Sequence, residues 1–164
     1  GKFSSAVKNN MGIGQARFEA ALELLKSRPE VKSDEIAAIG YCFGGGVVLQ
    51  MARNGLDLKG VVSFHGSLDT MNPAKPDVVK AQVLVCHGAE DKFISQEKID
   101  AFHEEMEAAG VDYEFIAYPN AVHSFTNPEA TEKGKKFGIP LAYDEEADMQ
   151  SWEDMQSFFD EIFE

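Results

Sequence analysis

Apolar residues first recur at helical spacing at Ile13, Phe18, Ala21, Leu22 and Leu25, which predicts a helix over 13–27 that Arg28-Pro29 closes. The period then changes. Residues 36–41 form a short continuous apolar run, as expected of a strand buried on both faces of a parallel sheet. A cluster of glycines follows, and 47–53 reads as a second helix. Two further runs, 60–65 and 82–87, each end in His-Gly and predict buried strands separated by a Pro/Asn/Asp-rich loop at 72–77. Ile99, Phe102, Met106 and Ala109 mark a helix over 94–109 stopped by Gly110, and 113–118 is a fourth strand. A long loop, 119–143, precedes a last helix from Asp144 whose Trp152, Met155, Phe159 and Ile162 make one stripe, read as core. Helix and strand thus alternate, which predicts an α/β fold with a parallel sheet covered by helices and functional groups at the carboxyl ends of its strands. Residues 1–164 read as a single domain, with no repeat or linker.

Composition narrows the function classes. A chain of 164 residues with 44% hydrophobic and 26% charged residues suits one globular domain, and no apolar run is long enough to span a bilayer. The net charge of −13 repels phosphate backbones and anionic lipid surfaces, so neither nucleic acid nor membrane is an expected partner. Two cysteines, Cys42 and Cys86, are too few for a disulfide framework, which leans towards a reducing, cytoplasmic setting. Gly1 has no signal peptide before it and reads as a processed or truncated start. The acidic residues 144–148 sit where they complement the positive end of a helix.

The chemistry concentrates in Gly40-Tyr41-Cys42-Phe43-Gly44, which has the form of a nucleophile elbow with cysteine in the serine position. A chain passing from strand to helix in so few residues strains its central residue and pushes that side chain out over the sheet end. The helix behind it favours a thiolate, and the Phe43 N–H stands where half an oxyanion hole would be. Alone, the pentapeptide is equally a glycine-rich turn with a passive cysteine. A nucleophile needs a base and the base a carboxylate. Asp91 follows the third strand and His123 the fourth, and the chain order nucleophile, acid, histidine is that of α/β-hydrolases. Asp69 and Glu90 are alternative acids. His65 and His87 end strands on the same edge, but no dense zinc spacing surrounds them, so no metal or organic cofactor is expected. His103 reads as a solvated helix residue and Cys86 as a small buried hydrophobe.

The stretches G-Y-C-F-G-G, H-G-A-E-D, Y-P-N-A-V-H-S-F-T-N-P and G-I-P-L-A-Y-D together resemble the dienelactone hydrolase family of α/β-hydrolases over residues 13–163. The resemblance implies a hydrolase of small carboxylic esters or lactones working through an acyl-enzyme. It implies Cys42 as nucleophile, Asp91 as the acid and His123 as the base, with Phe43 donating to the oxyanion. Two departures matter. Family members carry several strands before the helix that begins here near residue 13, including a neighbour of the nucleophile strand, a second oxyanion donor and a glutamate that meets the resting cysteine. Taken as a whole chain, the sequence assigns none of these. The sheet would then lack its N-terminal strands and leave the apolar edge of strand 36–41 open, which predicts a homo-oligomer through that edge. Losing one oxyanion donor costs about 100-fold to 1000-fold in rate, so the rival expectation is a poorly catalytic, self-associating fragment. The second departure is the absence of any arginine beyond Arg53, which argues against a substrate carboxylate and for a small neutral ester, thioester or lactone.

Overall fold

The computed structural model describes residues 10–70 and 72–164, so the start at Gly1 lies outside the described residues. The chain divides into two compact units, 1–36 and 37–164. In the first, the expected helix is α1 (Met11–Lys26), ended by Ser27, whose N–H bonds back to Glu23.

The second unit holds a four-stranded parallel sheet in the order β1 (Ala37–Tyr41), β2 (Gly60–Phe64), β3 (Gln82–Gly88) and β4 (Tyr113–Tyr118). Tyr41 pairs in register with Phe64, Phe64 with Cys86, and Gly88 with Tyr118, so all four carboxyl ends lie along one edge. β2 is buried throughout and β3 nearly so, as their unbroken apolar runs required. β1 differs from the expectation of a strand buried on both faces. It pairs with β2 alone among the described strands, and Ile39 and Tyr41 are 42% and 40% exposed. Apolar continuity reports hydrophobicity and not how fully each face is covered, and among the described strands this run is the outermost on its side.

α2 (Phe43–Arg53) starts four residues before the predicted 47, because the glycines that weaken helix propensity lie inside its first turn. α3 (Gln96–Ala109) ends as expected at Gly110, in the left-handed conformation at φ 65°. Leu49 and Arg53 of α2 converge with Val83 of β3 and Met106 of α3. Arg53 is buried there, with Nε and Nη2 each donating at 2.8 Å to one carboxylate oxygen of Glu105. The region read as one loop contains α4 (Ala130–Phe137), a short polar helix. α5 (Glu145–Phe163) is capped by Asp144, which accepts from the Ala147 N–H at 3.0 Å. Its buried line is Ala147, Ser151, Met155 and Phe158, and the apolar members pack against Phe64, Leu84, Cys86 and Tyr118. Trp152 is off that line and 48% exposed, which corrects its assignment to the core.

Candidate active site

Each strand delivers one chemically competent side chain just past its carboxyl end: Cys42 after β1, His65 after β2, Asp91 after β3 and His123 after β4. At the elbow, Cys42 has φ 53° and ψ −117°, outside the regions an L-residue ordinarily occupies. Its carbonyl accepts the Gly46 N–H at 3.3 Å, so it is the first link of α2, and its side chain is exposed. Gly40 makes the sharp turn possible, since a Cβ there would lie 2.2 Å from the Gly44 carbonyl oxygen. Gly44 itself faces open space. The second sterically required glycine is Gly45, whose Cβ would lie 2.6 Å from Ser63 Oγ.

His123 lies between the other two expected residues. Its Nε2 is 3.2 Å from Cys42 Sγ and its Nδ1 is 2.8 Å from Asp91 Oδ2. Asp91 is fully buried at the side chain, and its second oxygen accepts the Phe93 N–H at 2.9 Å. Burial pushes its carboxyl up, but the His123 and Phe93 hydrogen bonds outweigh this and hold it below the usual range. Burial likewise pulls the His123 imidazole down. Hydrogen bonds and charge from Asp91 and Cys42 outweigh that pull and raise it from 6.5 to about 9. The imidazolium is therefore the favoured form at neutral pH.

The competing candidates stand elsewhere. Asp69 makes an exposed ion pair with Lys98 at 2.7 Å, and Glu90 is exposed. Cys86 is fully buried, and burial pushes its thiol up to about 12. His87 is buried against Phe115, with ring centroids 5.4 Å apart. His103 is not a solvated helix residue: its Nδ1 is 2.8 Å from the Tyr113 hydroxyl and its ring packs on Phe115. Among the described residues, no group of three or more His, Cys, Asp or Glu is gathered as a metal site.

The sequence reading gave His65, Thr126, Asp148 and Trp152 no role beside Cys42. His65, with φ 41°, accepts the Cys42 N–H at Nδ1 (3.2 Å), a proton that Cys42 shares with the Phe64 carbonyl at 2.9 Å. Burial, and then the charge of His123, lowers His65 to about 4, so it is neutral at ordinary pH with its proton on Nε2. Nε2–H therefore donates to Thr126 Oγ1 at 2.9 Å. Thr126, Trp152 and Asp148 line, with Tyr41, Cys42 and His65, an open cleft of about 500 Å³. A histidine closing the strand next to the elbow was a legible signal for His65. Trp152 was hidden because its spacing to Met155 and Phe159 suits a core stripe equally well.

A parallel sheet sandwiched by helices, with a strand-to-helix elbow at its carboxyl edge, defines the α/β-hydrolase fold. The chain belongs to the dienelactone hydrolase family, whose model matches residues 2–163. It is 39% identical over 152 residues to an uncharacterised protein of Caenorhabditis elegans, covering 90% of this chain and 92% of that one. It resembles the solved structure of a dienelactone hydrolase-like promiscuous phosphotriesterase from metagenomic libraries, with a TM-score of 0.83 and 37% identity. That match covers 96% of this chain and 65% of that chain. The m3DLH structure gives a TM-score of 0.85 at 39% identity over 97% of this chain, and again 65% of the other. The chain therefore spans about two thirds of the length of these solved relatives.

Proposed function

We propose that the chain is a hydrolase of small carboxylic esters or lactones with Cys42 as nucleophile, His123 as acid and base, and Asp91 as the residue that fixes the imidazole. The observation that carries this reading is the continuous chain of contacts from Cys42 Sγ through His123 to buried Asp91, at 3.2 and 2.8 Å, beginning at a strained elbow. In the resting site the pair is thiolate and imidazolium, supported by the raised His123. The thiolate attacks the carbonyl carbon and the C=O electron pair moves onto oxygen, which the Phe43 N–H at the start of α2 stabilises. The tetrahedral intermediate collapses and the C–O bond breaks. His123 Nε2 gives its proton to the departing alkoxide, leaving an acyl-thioester on Cys42. The now neutral imidazole takes a proton from water as it attacks the thioester. Collapse releases the acid and restores the ion pair. Asp91 keeps Nδ1 protonated throughout.

His65 serves as a positioning residue. By accepting the Cys42 N–H it helps hold the elbow, and by donating to Thr126 it leaves the threonine hydroxyl free to donate its own proton to a substrate oxygen. Among the described residues that line the cleft there is no arginine or lysine, which favours substrates without a carboxylate. The test is stopped-flow hydrolysis of p-nitrophenyl acetate. A burst of p-nitrophenolate stoichiometric with protein, followed by slower turnover, is expected, and Cys42→Ala abolishes both. Turnover unchanged in Cys42→Ala refutes the assignment.

A second property is favoured by the exposed Ile39 on β1, which has a strand on one side only among the described residues. Pairing of this edge with a second copy would cover it.

A further inference from the structure

The cleft in front of Cys42 has a one-sided chemistry. Of the described side chains that line it, Asp148 is the one carboxylate, beside the Cys42 thiolate of the proposed resting site, and His65 is neutral above about 4. The neighbouring His123 imidazolium is offset by buried Asp91, and the chain as a whole carries −13. Asp148 is half-buried in the first turn of α5, where Asp144, Glu145 and Glu146 already complement the helix terminus. Its particular feature is that it lines the cleft, and Trp152, one turn further on, lines it too. Trp152 is the single tryptophan of the chain and is left 48% exposed. Across from α5, Tyr41 has one ring face covered by Phe64 at a centroid distance of 4.6 Å, yet stays 40% exposed in the cleft. Burial and then the charge of Asp148 push its phenol up, which places that carboxylate within electrostatic reach of the ring. Two aromatic rings and one carboxylate, with no lysine or arginine among the described residues that line the cleft, are the elements that recognise an organic cation.

We propose that this cleft binds the cationic head of an ester substrate, a quaternary or protonated ammonium group, between the rings of Trp152 and Tyr41 with Asp148 as countercharge. The inference rests on the hydrolase reading for the word substrate, but the binding site itself does not. An anionic head would meet Asp148 without compensation, and a neutral one would gain the ring contacts without the charge.

Trp152 reports occupancy directly. Its fluorescence is titrated with choline and with the uncharged isostere 3,3-dimethylbutan-1-ol, in the wild-type chain and in Asp148→Asn. Two ring contacts and a partly screened ion pair predict that choline binds about tenfold more tightly than the alcohol. In Asp148→Asn the ratio should fall to about threefold. Equal affinities, or no saturable change with choline in the wild type, overturn the proposal, and the wild-type comparison decides even if the variant folds poorly. Acetylthiocholine and 3,3-dimethylbutyl thioacetate are then compared as substrates. A cationic preference of about tenfold in kcat/KM supports both readings. Equal kcat/KM overturns the substrate class and leaves the hydrolase standing, whereas saturable choline binding without hydrolysis of either ester overturns the hydrolase and leaves the cation site.

Discussion

Replacing Asp91 by Asn tests the proposed machinery at its most buried point. The change is isosteric, and the retained carbonyl oxygen can still accept the Phe93 N–H at 2.9 Å. The group facing His123 Nδ1 at 2.8 Å, however, becomes an NH2. A protonated Nδ1 cannot face that donor, so the ring must present a bare Nδ1 and lose its imidazolium form. Raising His123 from 6.5 to about 9 corresponds to about 3 kcal/mol at about 1.36 kcal/mol per pH unit, carried by Asp91 and Cys42 together against the cost of burial. Without the carboxylate, burial again pulls the imidazole down, and the thiolate loses most of its partner near pH 7. If half or more of that energy is Asp91's, the thiolate at pH 7 falls by about 10-fold to 100-fold. The assay is the second-order rate of Cys42 alkylation by iodoacetamide across pH 5 to 10, with the adduct located by peptide mass spectrometry. The expected result is a fall of that size at pH 7, recovering as pH rises and the thiol ionises unaided. Ester turnover should fall further, by about 10⁴-fold, because the tautomer is also wrong. A variant alkylated within threefold of wild type, on the same pH profile, would refute the reasoning.

Three further outcomes follow from the same geometry. Gly40→Ala should lower stability by about 1–3 kcal/mol in urea unfolding, since its Cβ meets backbone at 2.2 Å, whereas Gly44→Ala should be close to neutral by comparison. His65, lowered to about 4, contributes stability that is fully present above 6.5 and is lost as pH falls from 6.5 towards 4; His65→Gln should flatten the wild-type drop in urea midpoint across that window. If the β1 edge pairs with a second copy, light scattering at micromolar concentration should give a dimer mass that Ile39→Lys reduces to the monomer, and a wild-type monomer would dismiss the pairing.

How far the sequence could be read followed from what each signal measures. β2, β3 and β4 were legible because strands with helical crossovers announce themselves as apolar runs between turn residues, and Cys42, Asp91 and His123 because each follows such a run. The structure brings those three into contact. Face burial was not legible: residues 36–41 are as apolar as a strand covered on both faces, yet Ile39 and Tyr41 are exposed on β1, the outermost of the described strands on its side. α4 was hidden because its sequence is mostly polar and interrupted by Gly134, whose Cβ would lie 2.3 Å from the Leu141 carbonyl oxygen, so the glycine serves packing rather than a turn. Trp152 was misplaced by a one-residue choice between two helical stripes, with Phe158 and not Phe159 on the buried line. The His65 link to Thr126 spans 61 residues and depends on the left-handed φ of His65, which no local pattern states.

The most direct test of the central claim is intact-mass spectrometry of the 164-residue chain quenched in acid within seconds of mixing with p-nitrophenyl acetate. The account predicts one acetyl group, located on Cys42 by peptide mapping, that accumulates and then decays as substrate is exhausted. A folded chain that hydrolyses the ester with no adduct on Cys42, or with the adduct on another residue, would contradict it.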